Sequence, residues 1–209
     1  MSKKALLAAT CAAFALLSPL ALAACGGDDD NGGGSADEDQ ITKAIDAAAT
    51  SGDPSACTQY ETQNFLEQTN GGTGQAAVRS CERDASESVA DSVDVSDVEV
   101  DGNNATAKAA VTGSIFDGQT LDIALVKEGN VWKLDKFNGF EDFDKEKIIA
   151  GFKEQFAKDP SVPAGAADCV AQQMEKASDE DIEGFFTEEN AQAENQLFKP
   201  CEDEFKSGQ

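Results

Sequence analysis

Histidine is absent from all 209 residues, and lysine plus arginine number 16 against 40 aspartates and glutamates. The first absence removes any Ser-His-Asp arrangement and the imidazole donors of most transition-metal sites. No Cys-x-x-Cys pair stands in for them, so zinc has no donor set to build on. The shortage of cations excludes nucleic acid, whose phosphates must be neutralised by lysine and arginine. There is one tryptophan, Trp132, and one tyrosine, Tyr60. Gly71-Gly72-Thr73-Gly74 is glycine-rich but lacks the Walker lysine and a strand–loop–helix setting, and reads as a helix connection.

What is present begins with Lys3 and Lys4, followed by an uncharged, mostly Ala and Leu stretch from Ala5 to Ala24. These are the n-region and h-region of an export signal. About 20 apolar residues could also span a bilayer, but Ser18-Pro19 interrupts the run, small residues crowd its end and no basic stop-transfer cluster follows. Leu22-Ala23-Ala24-Cys25 resembles the lipobox of bacterial lipoproteins. The resemblance implies cleavage ahead of Cys25, diacylglycerol on its thiol and acylation of its amine. Residues 1–24 are then a leader, and Cys25 anchors the chain in the cell membrane on the extracytoplasmic face. Two acyl chains meet the usual need for stable attachment, at about 0.8 kcal/mol per buried methylene.

Without the leader's two lysines, 14 basic residues face 40 acidic ones, a formal charge of −26. Such a charge keeps an exported domain soluble and repels anionic lipid. It leaves basic proteins, cationic small molecules or divalent ions as partners. Residues 25–39, CGGDDDNGGGSADED, are low-complexity and read as a flexible acidic tether of roughly 20 Å. Their aspartate spacing does not fit a calcium loop, and no metal or cofactor is expected.

Cys11 leaves with the leader and Cys25 carries lipid, so Cys57, Cys81, Cys169 and Cys201 remain. An even count in an exported chain reads as two disulfides. Three connectivities exist; Cys57–Cys81 and Cys169–Cys201 are favoured because each pair flanks a helical segment within one compositional block. Loops of this size are worth about 3–4 kcal/mol each in the chain-entropy picture.

From Gln40 the apolar period is helical: Ile41, Ala44, Ile45 and Ala48 form a stripe that Ser51-Gly52-Asp53-Pro54 ends. A second helix carries Cys57 and Tyr60, and a third, from about Gly74 to Val89, carries Cys81. From Ser92 the period becomes two, with a phase slip at Ser96-Asp97 that predicts a bulge. Ala105, Ala107, Ala109, Val111, Gly113 and Ile115 alternate along a long second strand. Leu121, Ile123 and Leu125 mark a third, and Trp132 and Leu134 a fourth. Short turns join all four into an antiparallel meander with one apolar face.

Val98 to Asp135, VEVDGNNATAKAAV…LDIALVKEGNVWKLD, together with the preceding helices, resembles the nuclear-transport-factor-2-like (cystatin-like cone) domains of bacterial lipoproteins. That likeness covers roughly residues 40–139 and implies a curved sheet wrapped around a helix, often around a conical pocket. It does not imply an activity, because members range from enzymes to association modules. Enzymes of this kind place Asp, His or Tyr in the cone. Here Tyr60 reads as a packing residue, and Asp122, between Leu121 and Ile123, points outward. The expectation is no catalytic residue and no enzyme.

Residues 140–209 return to a helical period, with Ile148, Ile149, Phe152 and Phe156 on one stripe and a capping box at Ser178 to Asp181. AADCVAQQMEKASDEDIEGFF…C resembles a small cysteine-stapled helical domain of bacterial lipoproteins and carries the same Cys169–Cys201 pairing. Nine of the twelve phenylalanines lie from Phe137 onwards and read as core filling for this block. Asn138-Gly139 is a candidate hinge between the blocks. The expected fold is thus α+β, helices on a four-stranded antiparallel meander, followed by an all-α C-terminal domain. The expected role is a non-catalytic interaction module docking to an envelope protein. The alternative is a lipoprotein holding a small apolar or cationic ligand in the cone.

Overall fold

The computed structural model describes residues 34–70, 72–86, 89–159, 162–187 and 197–207. Cys25 and the leader lie outside the described residues. The fold is α+β: a four-stranded antiparallel sheet with eight α-helices among the described residues.

Helices α1 (Gly34–Thr50), α2 (Ala56–Gln59), α3 (Gln63–Asn70) and α4 (Gln75–Asp84) precede strands β1 (Ser92–Asp101), β2 (Asn104–Thr112), β3 (Thr120–Glu128) and β4 (Val131–Phe140). Helices α5 (Lys145–Lys158), α6 (Ala164–Lys176) and α7 (Asp179–Thr187), a 3₁₀ turn (Lys199–Cys201) and α8 (Glu202–Ser207) follow. The strands lie in chain order, β1-β2-β3-β4. Alternation does what the period predicts on β2: Ala105, Ala107, Ala109 and Val111 are buried, while Thr106 and Ala110 are exposed. Ala107 pairs with Ile123 and Ala109 with Leu121, so one face is continuously apolar. The phase slip is a bulge: pairing jumps between Ser96 and Glu99, and Asp97 sits at φ 49°.

Four boundaries differ from the sequence reading. α1 starts at Gly34, not Gln40, taking residues 34–39 out of the flexible tether. Asp37 in its first turn is fixed by Lys127 and Trp132. β2 ends at Thr112 rather than continuing to Ile115, because Gly113 and Ser114 adopt positive φ and the chain turns there. α4 ends at Asp84, short of Val89. Asn138 and Gly139 lie inside β4 and not at a hinge.

The free edge of β4 is covered by the α2–α3 segment. Leu134 N–H donates to the Tyr60 carbonyl at 2.8 Å, and Thr62 N–H donates to the Leu134 carbonyl at 2.9 Å. Asn64 and Gln68 of α3 then bond the backbone of Asp135 and Phe137. The edge is thereby denied to another strand.

The helices after β4 pack around Ile148, Phe152, Val170, Met174, Ile182 and Cys201. Phe116, Phe140 and Phe186 touch both this cluster and the core under the sheet. Phe116 and Phe186 meet edge-on with centroids 5.3 Å apart, a favoured aromatic geometry. Gln68 adds a 2.7 Å bond to the Thr187 carbonyl, and buried Gln119 bonds the backbone of Asp144 in both directions. The capping box at the start of α7 forms, with Asp181 in the usual glutamate role: Ser178 Oγ accepts from Asp181 N–H at 3.1 Å.

Candidate functional site

The inner face of the sheet is where a cone pocket would open. Its floor is the alanine stripe Ala105, Ala107 and Ala109, side chains too short to fill the space above them. α1 fills it. Ile41, Ala44 and Ile45 belong to the same core cluster as the alanines, and Ile41 is completely buried. Trp132, 1 % exposed, closes one end. Its indole N–H donates to Asp37 Oδ1 at 2.9 Å, and Lys127 Nζ donates to the same oxygen at 2.6 Å. Lys127 also stands 5.3 Å from the Trp132 ring centroid, a cation–π distance. These donors, Lys127 foremost, hold the Asp37 carboxyl below the usual aspartate range. The alanines and the isoleucines of α1 thus belong to one buried core, in which the helix stands nearest β1 and β4.

Two hollows elsewhere among the described residues are lined mainly by charged and polar side chains. One surrounds the start of α5, from Asp142 to Lys147 with Asp179. The other is on the outer sheet face, from Asp97 to Glu99 with Thr106, Lys108 and Asp122. Lys108 is engaged there by Glu141 and, at 3.7 Å, by Asp97; the Glu141 bond is the main cause of its raised pKa. Among the described residues no group of three or more Cys, Asp or Glu is placed to hold a metal. No helix among them is long and apolar enough to cross a membrane.

Asp122 lies on the outer face, opposite Lys108, and Tyr60 packs half-buried at the rim of the sheet core, its hydroxyl accepting from Gln59. The two are not brought together at one site. Cys57 is bonded to Cys81 and Cys169 to Cys201, with Cα separations of 6.1 and 5.8 Å. The first bond ties α2 to α4 over a small satellite core of Leu66, Ala77 and Val78. The second ties α6 to the 3₁₀ turn.

One residue of chemical interest is not legible in the sequence. Glu61 forms a lone parallel bridge with Leu134, which draws its half-buried side chain in against the Cys57–Cys81 disulfide. Its Oε2 lies 3.7 Å from Cys81 Sγ. It takes part in none of the ion pairs found among the described residues. Burial alone pushes its carboxyl up to about 8, so it is protonated at neutral pH. In the string TQYETQ nothing separates it from the many solvated acids.

No protein-family model matches the chain, and no curated protein or solved structure matches it significantly.

Proposed function

We propose that this chain is a lipid-anchored module of the bacterial cell envelope that works by docking to another envelope protein, without catalysis. Its α+β part, residues 40–139, is read as a nuclear-transport-factor-2-like cone, and residues 140–209 as a helical domain joined to it. The lipobox at Cys25, the export leader and the acidic body support the anchoring. The observation that carries the non-catalytic reading is the burial of Ile41 and Ile45 of α1 in the same apolar core as Ala105, Ala107 and Ala109. Ile41 and Ile45 are almost completely buried there, which supports a face of the sheet given to packing over one given to a substrate.

The test is a native intact mass of the protein purified gently from its own membrane fraction. The expected mass is that of the chain from Cys25, its acyl groups and two disulfides. A discrete further mass lost on denaturation makes the protein a ligand carrier and overturns the docking reading. Replacing Cys25→Ser should abolish acylation and release the protein from the membrane fraction; retention without acyl groups overturns the anchor. Cross-linking in intact cells should then join the folded body to a defined protein partner.

A further inference from the structure

We propose that the outer edge of β1 receives an extended, basic segment of the docking partner, which adds a strand to the four-stranded sheet. The proposal rests on the docking reading and gives that docking a place and a chemistry.

Register decides which backbone groups face the edge. On β2 the odd-numbered residues bond toward β3: Val111 N–H donates to the Gln119 carbonyl at 2.9 Å, and the carbonyl of Asn103, just before the strand, accepts from Lys127 N–H at 2.8 Å. The even-numbered residues therefore turn to β1, where Thr112, Ala110, Thr106 and Asn104 pair with Ser92, Asp94, Glu99 and Asp101. Between these, Val93, Val95 and Val100 turn their N–H and C=O groups away from the sheet. No backbone hydrogen bond among the described residues reaches those groups. The opposite edge, on β4, is closed by Tyr60 and Thr62.

The side chains along β1 are incompletely covered. Val93, Val95 and Val98 touch the core under the sheet and pack near α1, yet each is only half-buried, and Val100 is 38 % exposed. Val111, the partner of Val93 on β2, is buried. A further strand along β1, with apolar side chains at alternate positions, would cover the valines as β1 covers β2. A long edge that carries valines is a template for pairing.

Charge selects the occupant. The other side of β1 carries Asp94, Glu99 and Asp101, all exposed and in no ion pair among the described residues. Asp97, in the bulge, has Lys108 at 3.7 Å, but that lysine is held foremost by Glu141. A second copy of this chain would set these acids against one another, and like charges across a strand pair are unfavourable. A strand bearing lysine or arginine sets cations against them instead. The partner segment thus has period two, apolar on the valine side and basic on the other, and joins by backbone pairing along the edge.

The experiment uses the full-length protein in detergent, read by residue-resolved hydrogen exchange. The probe is a peptide of alternating lysine and valine, about eight residues long to match the strand. The control is the same peptide with its backbone amides N-methylated, which keeps the charge and cannot pair. In the free protein the amides of Val93, Val95 and Val100 should exchange at least about tenfold faster than those of Asp94 and Glu99, which face β2. The lysine–valine peptide should slow these outward amides by about tenfold, and the methylated peptide should leave them unchanged. Glu99→Lys combined with Asp101→Lys should weaken peptide affinity by about tenfold without altering exchange in the free protein. Equal effects of the two peptides, no protection, or an affinity indifferent to the charge reversal overturns the proposal. Outward amides that are already slow in the free protein overturn it too; where dilution speeds them, a second copy is the occupant. Failure here leaves the docking reading standing, because the cross-linking in cells that tests it does not depend on which face is used.

Discussion

Asp37 in the first turn of α1 accepts hydrogen bonds from Trp132 Nε1 at 2.9 Å and Lys127 Nζ at 2.6 Å, joining the helix start to the β3–β4 hairpin. This contact fixes where the tether ends and the folded body begins. Asp37→Ala leaves the indole N–H of nearly fully buried Trp132 without its partner, a loss of the kind that costs about 1–3 kcal/mol. The melting temperature should fall by several degrees, and hydrogen exchange should show residues 34–40 opening first. Because the folded-state pKa of Asp37 is depressed, the stability it adds is present above its unfolded value and is lost as pH falls through the folded one. Acid unfolding of the parent should be steeper below pH about 4 than that of Asp37→Ala.

The disulfides divide the molecule into separately weakened regions. Serine replacement of Cys57 and Cys81 should cost about 3–4 kcal/mol by the loop-entropy relation, as should replacement of Cys169 and Cys201. Their sequence separations, 24 and 32, make the two penalties nearly equal. Their location should differ: the first pair should raise exchange in α4 and the α2 turn, the second in α6 and the C-terminal helix. Site-resolved hydrogen exchange of the two double variants checks this. Uniform loss of protection in both would contradict the satellite position of the first bond.

Glu61 should make the protein less stable as pH rises. Its folded pKa is about 8 against an ordinary 4.5, so between these values the folded state holds a proton that the unfolded state has released. Stability is then full below pH 4.5 and declines toward pH 8, with a slope of at most about 1.4 kcal/mol per pH unit. Glu61→Gln keeps the shape, removes the titration, and should raise stability at neutral pH by a few kcal/mol at most. Chemical denaturation of both forms across this range should show the parent curve sloping and the variant curve flatter. Parallel curves would mean that Glu61 titrates normally.

The α+β class and the strand order could be read from the chain because period-two alternation with short Gly and Asn turns allows few other arrangements. The stripe on β2 was legible as small residues but not as part of the core that α1 shares. Ala105, Ala107 and Ala109 describe an open cavity and a packed core equally well until Ile41 and Ile45 are found buried in the same cluster. The helix start at Gly34 was hidden because GSADED has the composition of a spacer and is held by two side chains far along the chain. Glu61 was invisible for the same reason, its burial depending on a bridge to Leu134. Phe140 and Phe186 read from the sequence as core of the helical block alone, since the sequence cannot say that one aromatic group, joined by Phe116, serves two cores.

Gly151 in α5 offers a test in which tertiary packing should reverse a local preference. In an exposed helix, alanine is favoured over glycine by about 1 kcal/mol. Here a Cβ would lie 2.7 Å from the Ile115 carbonyl oxygen and 3.0 Å from that of Ser114, both backbone atoms of the loop after β2. That loop is itself held, with Gly118 N–H bonded to the Val111 carbonyl and Lys147 Nζ to the Gly118 carbonyl. It cannot yield without disturbing these bonds, so Gly151→Ala should destabilise by about 1–3 kcal/mol, the range of an overpacked core. For a domain of this size that is a fall of about 2–12 °C in melting temperature. Calorimetry decides the sign: a rise would mean that α5 stands farther from Ile115, and that the strand-ending turn at Gly113 is not braced by the helix.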